Sequence, residues 1–225
     1  MFRPEVVIAG RDTKILIDQV RTIDASYIAG DLVDYLSRDD MGQVEHSLSV
    51  SRHFQDLVVP GLLQTADYMR ASTRQLTPDV SDSGVDRVVN VRRRRQELLD
   101  RADAPEMFFV LDESVIRRVV GSKGLMRDQL QRMIEATEKP NITIEVVPFT
   151  AGLVPGLQAP FVIQEFSDAS DDELLYLESP RGDALIRDDR EEVLAYREYF
   201  EQLRRASLGP EGTIKFLNEV TTELS

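Results

Sequence analysis

Residues 107–148 read MFFVLDESVIRRVVGSKGLMRDQLQRMIEATEKPNITIEVVP, and this stretch decides the fold class. Met107 to Leu111 is a short apolar run ending in Asp112, whose side chain suits a helix N-cap. Helical periodicity then predicts helices over Glu113 to Val120 and Lys123 to Thr137, separated by Gly121 and Ser122. Asn141 to Pro148 alternates and is β-branched, which predicts a strand. A strand, a helical crossover and a second strand imply a right-handed parallel unit. Pro160 to Phe166 (PFVIQEF) and Leu174 to Glu178 (LLYLE) add a hairpin. Its tip, Ser167 to Glu173, is acidic but lacks the spacing and glycine of a calcium loop. A charged helix over Asp188 to Ala206 and a last helix over Glu211 to Leu224 follow, divided by Gly209 and Pro210. Such a terminal pair packs on its own core or on a second copy, as in a homodimer. The predicted class is α+β: a helical N-terminal half packed on a small mixed β-sheet, with C-terminal helices.

Upstream, Leu57 to Arg70 reads LVVPGLLQTADYMR. Pro60 fixes its own φ and lacks a donor, and Gly61 admits angles that other residues avoid, so the pair ends what precedes it. Leu62, Leu63, Ala66 and Met69 predict a helix starting at Leu62. Before the turn, Asp40 to Asp56 is predicted helical, with Met41, Val44, Leu48, Ser51 and Gln55 on one side and Glu45 and Arg52 flanking them. His46 and His53 then share the opposite, solvent-facing side. Residues 1–39 read as an N-terminal extension: Phe2 to Ala9 as a strand or arm, then helices from Asp12 and over Asp31 to Leu36. Residues 40–225 read as a single domain.

Thr77 to Gly84 is rich in turn residues and predicts a loop, after which Asp86 to Arg101 (DRVVNVRRRRQELLDR) is helical. A wheel centres the apolar side on Val85, Val88, Val91, Leu98 and Leu99. Arg92 and Arg95 fall near that centre, whereas Arg93 and Arg94 point away. An inward arginine is costly unless paired. Arg92 and Arg95 therefore each imply a structural carboxylate, with Glu45, Glu113 and Glu178 available, several carbonyl acceptors, or a ligand carboxylate or phosphate held bidentately.

Forty acidic residues against 27 basic ones give a formal charge of −13. That surface repels a phosphate backbone, so direct DNA binding is not expected, whereas small anions in a local basic pocket and small protein partners remain open. With no cysteine there is no disulfide framework and no thiolate metal site, which fits the cytoplasm. The chain shows no apolar run long enough to span a membrane and no phosphate loop, dinucleotide fingerprint, hydrolase elbow or metal motif, so no cofactor and no metal are expected.

Several motifs together resemble a known family. They are Glu45, VPGLLQT at Val59 to Thr65 with Tyr68, the Arg92-x-x-Arg95-Gln96 pattern, LDE at Leu111 to Glu113 followed by Arg117 and Arg118, VVPF at Val146 to Phe149, and YLE at Tyr176 to Glu178. The chain from about Asp40 onward resembles the C-terminal domain of actinobacterial antitoxin-like transcriptional regulators of the Scr family. Their usual N-terminal helix-turn-helix has no counterpart in the acidic residues 1–39. The resemblance implies a regulator-type sensor or protein-interaction domain that does not read DNA itself. Glu45, Arg52, Gln64, Tyr68, Arg92, Arg95, Gln96 and Glu113 are the residues expected to line a ligand-binding pocket. The alternative is a domain recruited as an enzyme of specialised metabolism, with Glu45 and Glu113 as acid/base candidates.

Overall fold

The computed structural model describes residues 7–8, 11–12, 48–167, 173–177, 184–186 and 189–225. In chain order the elements are β1 (Val7–Ile8), β2 (Arg11–Asp12), β3 (Leu48–Gln55), α1 (Ala66–Leu76), α2 (Asp82–Gln96), β4 (Glu106–Asp112), α3 (Glu113–Arg117), α4 (Lys123–Ala136), β5 (Ile142–Val147), β6 (Phe161–Phe166), β7 (Leu174–Leu177), β8 (Ala184–Ile186), α5 (Arg190–Ala206) and α6 (Gly209–Glu223). Single 3-10 turns sit at Gly61–Leu63, Glu97–Asp100 and Phe149–Ala151.

The class is α+β, built on one six-stranded mixed sheet in the order β5-β4-β3-β6-β7-β8. β3, β4 and β5 run parallel, and β6, β7 and β8 continue the sheet antiparallel. The expected parallel unit is β4-α3-α4-β5. Asp112 caps α3 by accepting from the Ser114 N–H at 2.8 Å, and the helix ends at Arg117, short of Val120. Gly121 then takes φ 69, and Ser122 caps α4.

Alternation along the strands sends side chains into two cores. On one face, Met107, Phe109, Leu111, Ile142, Ile144 and Val146 meet the Pro60 turn, α4 and α6, whose Leu217 and Val220 are buried in the chain's own core. On the other, Phe54, Val110, Val147, Phe161 and Ile163 meet Val193, Phe200 and Leu203 of α5.

β5 is an edge strand, and unpaired edges invite foreign strands. Here Val146 N–H donates to Thr213 Oγ1 of α6 at 3.0 Å, and Val146 C=O accepts from Leu208 N–H at 2.9 Å. Beside it Glu145, 4% exposed, accepts two bonds of 3.1 Å from Arg204 and one of 3.2 Å from Ser207. Glu145→Ala removes the acceptor for all three donors. Arg204 is a third exposed and recovers some hydration, so the expected loss is about 2 kcal/mol. Chemical denaturation checks it, and a change below about 0.5 kcal/mol is that of an ordinary surface substitution.

Three expectations are corrected. Residues 48–55 form the strand β3, not the end of a helix. The register shifts between Leu48 and Val50, so Leu48 and Ser51 reach one pocket at a three-residue spacing that imitates helical periodicity. Pairing on both sides, with β4 and β6, then overrides local propensity. Secondly, His53 is 4% exposed rather than solvent-facing. Thirdly, α1 begins at Ala66 with Thr65 as its cap, and α2 begins at Asp82 with Ser81 as its cap, so the loop before α2 is shorter than Thr77 to Gly84. In the N-terminal region, Val7–Ile8 pairs with Arg11–Asp12. The helices expected after Asp12, the helix over residues 41–47, Glu45, His46, Glu178 and the tip 168–172 lie outside the described residues.

Candidate functional site

The Pro60 turn leaves the sheet as a 3-10 turn and must satisfy its backbone without ladder partners. Buried side chains do this. Gln64 Nε2 donates to Val59 C=O at 2.7 Å, and Val59 N–H donates to the Tyr68 hydroxyl at 3.2 Å. Gln96 Nε2 donates to Gly61 C=O at 2.9 Å and Gln64 C=O at 2.8 Å. From α4, Gln129 Nε2 donates to Leu63 C=O at 2.8 Å while its Oε1 accepts from Thr65 N–H at 2.7 Å. Arg92 Nη1 donates to Gln64 Oε1 at 2.9 Å, which fixes that amide. Burial pushes the Tyr68 phenol pKa up, so it stays protonated.

The clasp positions Leu62 over the middle of the sheet, where a pocket opens. It is a small cavity of about 20 Å³, between Leu48, Ser51 and His53 of β3, Leu62, Arg95 and Leu98, Met107 of β4 and Gln164 of β6, with room for about one water. Its floor is unusual for a central strand. Ser51, His53 and Gln55 occupy successive positions on one face of β3, and all are buried. Gln164 pairs with Ser51 across the strands and is 5% exposed.

Ser51 Oγ lies 2.9 Å from His53 Nε2, and the His53 ring stacks against Phe109 with centroids 4.8 Å apart. Burial lowers the His53 pKa to about 3, and the positive charge of Arg95 adds to this, so the imidazole is neutral at pH 7. His53 Nδ1 and Gln164 Oε1 have no hydrogen-bond partner. Serine and histidine at this distance suggest a nucleophile and its base. A base with a pKa of about 3, and with no group orienting Nδ1, is poorly suited to activating a hydroxyl. The arrangement suits recognition better than acyl transfer.

A family described as "Domain of unknown function (DUF5753)" matches residues 38–219. The chain belongs to the DUF5753 family. Over a shorter stretch of 49 residues, 22% of the chain, it is 51% identical to a Mycobacterium tuberculosis protein named "Putative toxin Rv3098A/RVBD_3098A". The matched stretch spans 46% of that relative's length. No solved structure matches.

In this DUF5753 domain the eight residues expected at a pocket are dispersed. Arg95 lines it, half-buried. Gln64, Tyr68, Arg92 and Gln96 lie beside it, bonded into the clasp. Arg52 points to the opposite face of the sheet, where it pairs with Glu165 and lies 5.6 Å from the Phe108 ring centroid. Glu113 pairs with Arg117 and accepts from Phe149 N–H at 2.7 Å. Glu45 lies outside the described residues.

Ser51, His53 and Gln164 were not among the expected pocket residues: the helical reading of residues 40–56 turned His53 outward, and Ser51 and Gln164 are uncharged polar residues of no distinctive motif. The alternation Val50, Arg52, Phe54 against Ser51, His53, Gln55 was the available signal. Among the described residues no cluster of histidines and carboxylates is placed to hold a metal, and no helix is long and apolar enough to cross a membrane.

Proposed function

We propose that this DUF5753 domain is a regulatory module of the antitoxin-like kind, which holds a small anionic molecule, or the anionic end of a small protein partner, at the mouth of the cavity beside Arg95. The observation that carries the proposal is the buried polar floor. His53 Nδ1 and Gln164 Oε1 are desolvated at a cost in stability and unpartnered, and such groups mark places where a water or a ligand completes the hydrogen bonding. Arg95 supplies positive potential at the rim and, after burial, adds to the lowering of the His53 pKa. The partial likeness to a protein named as a toxin, with the motif set quoted above, supports the regulatory side of this reading. The charge of −13 argues that contacts with DNA belong to other parts of the system.

Native mass spectrometry of the full chain, compared with Arg95→Ala and Arg92→Ala, tests this. The wild type is expected to retain a small molecule or a small protein. Arg95→Ala is expected to keep its fold and lose that mass. Arg92→Ala loosens the Gln64 amide and lowers the unfolding midpoint. A wild type that carries nothing when isolated from its own cells, with Arg95→Ala indistinguishable from it, sinks the proposal.

A further inference from the structure

The helix α2 carries charge on two flanks, and the two are used differently. Residues Arg87 to Gln96 hold five arginines and no carboxylate, in a chain whose formal charge is −13. On the flank beside α1, Asp86 pairs with Arg70 and Asp82 with Arg74. On the other, Arg87, Val91 and Arg94 follow one another at spacings of four and three along the helix, so they share one side. The two arginines bracket Val91 from positions about 10 Å apart along the axis. Arg87 and Arg94 are exposed and Val91 is half-buried. Among the described residues no carboxylate pairs with Arg87 or Arg94. Arg93 to Arg95 stand in the last turn, where the helix dipole favours cations. That field falls off within a turn and does not account for Arg87 in the second turn.

Two exposed arginines around a partly apolar residue are the complement of a helix that carries an apolar residue between two carboxylates. Such a helix lies along α2 as α1 does on the opposite flank, with the signs exchanged. Arginine rather than lysine at these positions suits carboxylates taken by paired bonds. A nucleic-acid duplex fits less well. It bears one charge per about 1.7 Å and runs past this two-turn ridge onto the exposed Asp86, Glu97 and Asp100. We infer that the ridge docks an acidic amphipathic helix of a small partner protein, whose carboxylates pair with Arg87 and Arg94 around Val91. The inference takes the protein-partner branch of the reading above and rests on it. Arg95, next to Arg94 and lining the cavity, joins the ridge to the anion site.

NMR titration of the isotope-labelled full chain tests this with an alanine-rich helical peptide. The peptide carries leucine with one glutamate four residues before it and another three residues after it. Its counterpart has glutamine at both places. The acidic peptide is expected to shift the amide signals of Arg87, Val91 and Arg94. It is expected to bind about fivefold more tightly than its counterpart, the worth of two exposed ion pairs, and to lose that preference as salt rises. Arg87→Gln combined with Arg94→Gln is expected to abolish the preference. The charge-matched pair Arg93→Gln and Arg205→Gln, exposed and off the ridge, is expected to keep it. Equal binding of the two peptides, a preference that survives in the ridge variant, or tighter binding of oligothymidylate than of the acidic peptide overturns the inference. The anion site still stands in those cases if Arg95→Ala loses the retained mass. No peptide preference, together with an Arg95→Ala variant indistinguishable from the wild type, overturns both.

Discussion

Between pH 6.5 and pH 4 the folded chain is expected to lose about 3 kcal/mol through His53 alone, and His53→Phe is expected to flatten that part of the profile. The unfolded imidazole takes up its proton near pH 6.5, whereas in the folded chain burial, aided by Arg95, delays protonation to about pH 3. Within this window the unfolded state binds more protons than the folded state, so stability rises with pH and falls on acidification. The slope approaches about 1.4 kcal/mol per pH unit. Carboxylates contribute an acid limb to both proteins, so the difference between wild type and variant isolates the histidine. Loss of the Ser51 partner in the variant shifts the whole curve without tilting it. Urea midpoints measured every half pH unit give both curves, and parallel curves would show that His53 protonates readily in the fold.

Gln129→Met is expected to cost about 2–6 kcal/mol, although it preserves length, volume and helix propensity. Gln129 is fully buried on α4, and its amide is bonded at both ends to the Pro60 turn. Removing it strands the Leu63 carbonyl and the Thr65 N–H, each a buried backbone group worth about 1–3 kcal/mol when left unpaired. The control lies two residues along the same helix. Gln131 is exposed and bonds to Glu135 at 3.3 Å, so Gln131→Met is expected to change stability by less than about 0.5 kcal/mol. Guanidinium unfolding of the pair decides the matter: equal midpoints would mean that the clasp contributes nothing. Because the clasp carries Leu62, a destabilised Gln129→Met is also expected to bind acids less well than the wild type.

The sheet from β4 to β7 was legible because each strand is a compact apolar or β-branched run bounded by turn residues, and each signal is local. The arginine reading was legible for a related reason. Helical geometry alone places Arg92 and Arg95 inward, and both are half-buried, with Arg93 and Arg94 exposed. β3 was not legible, since its polar residues and its bulge give a local pattern compatible with a helix. Only pairing on both edges settles its form. The placement of His53 inherited that error. Three of the residues that line the pocket, Ser51, His53 and Gln164, are ordinary polar residues in the sequence and acquire meaning by being desolvated together.

Alone, then, the sequence determined the α+β class, the β4-α3-α4-β5 unit, the turn at Pro60 and the inward arginines, because each follows from periodicity or from the covalent geometry of proline. The tertiary structure decided that β3 is the centre of the sheet, that Gln64, Tyr68, Gln96 and Gln129 clasp the turn, and that His53 and Gln164 face one pocket with Arg95. Those outcomes depend on partners up to 118 positions apart, as Leu48 and Phe166 are (166 − 48). Burial and hydrogen bonding at that range belong to the packed chain rather than to any window of it.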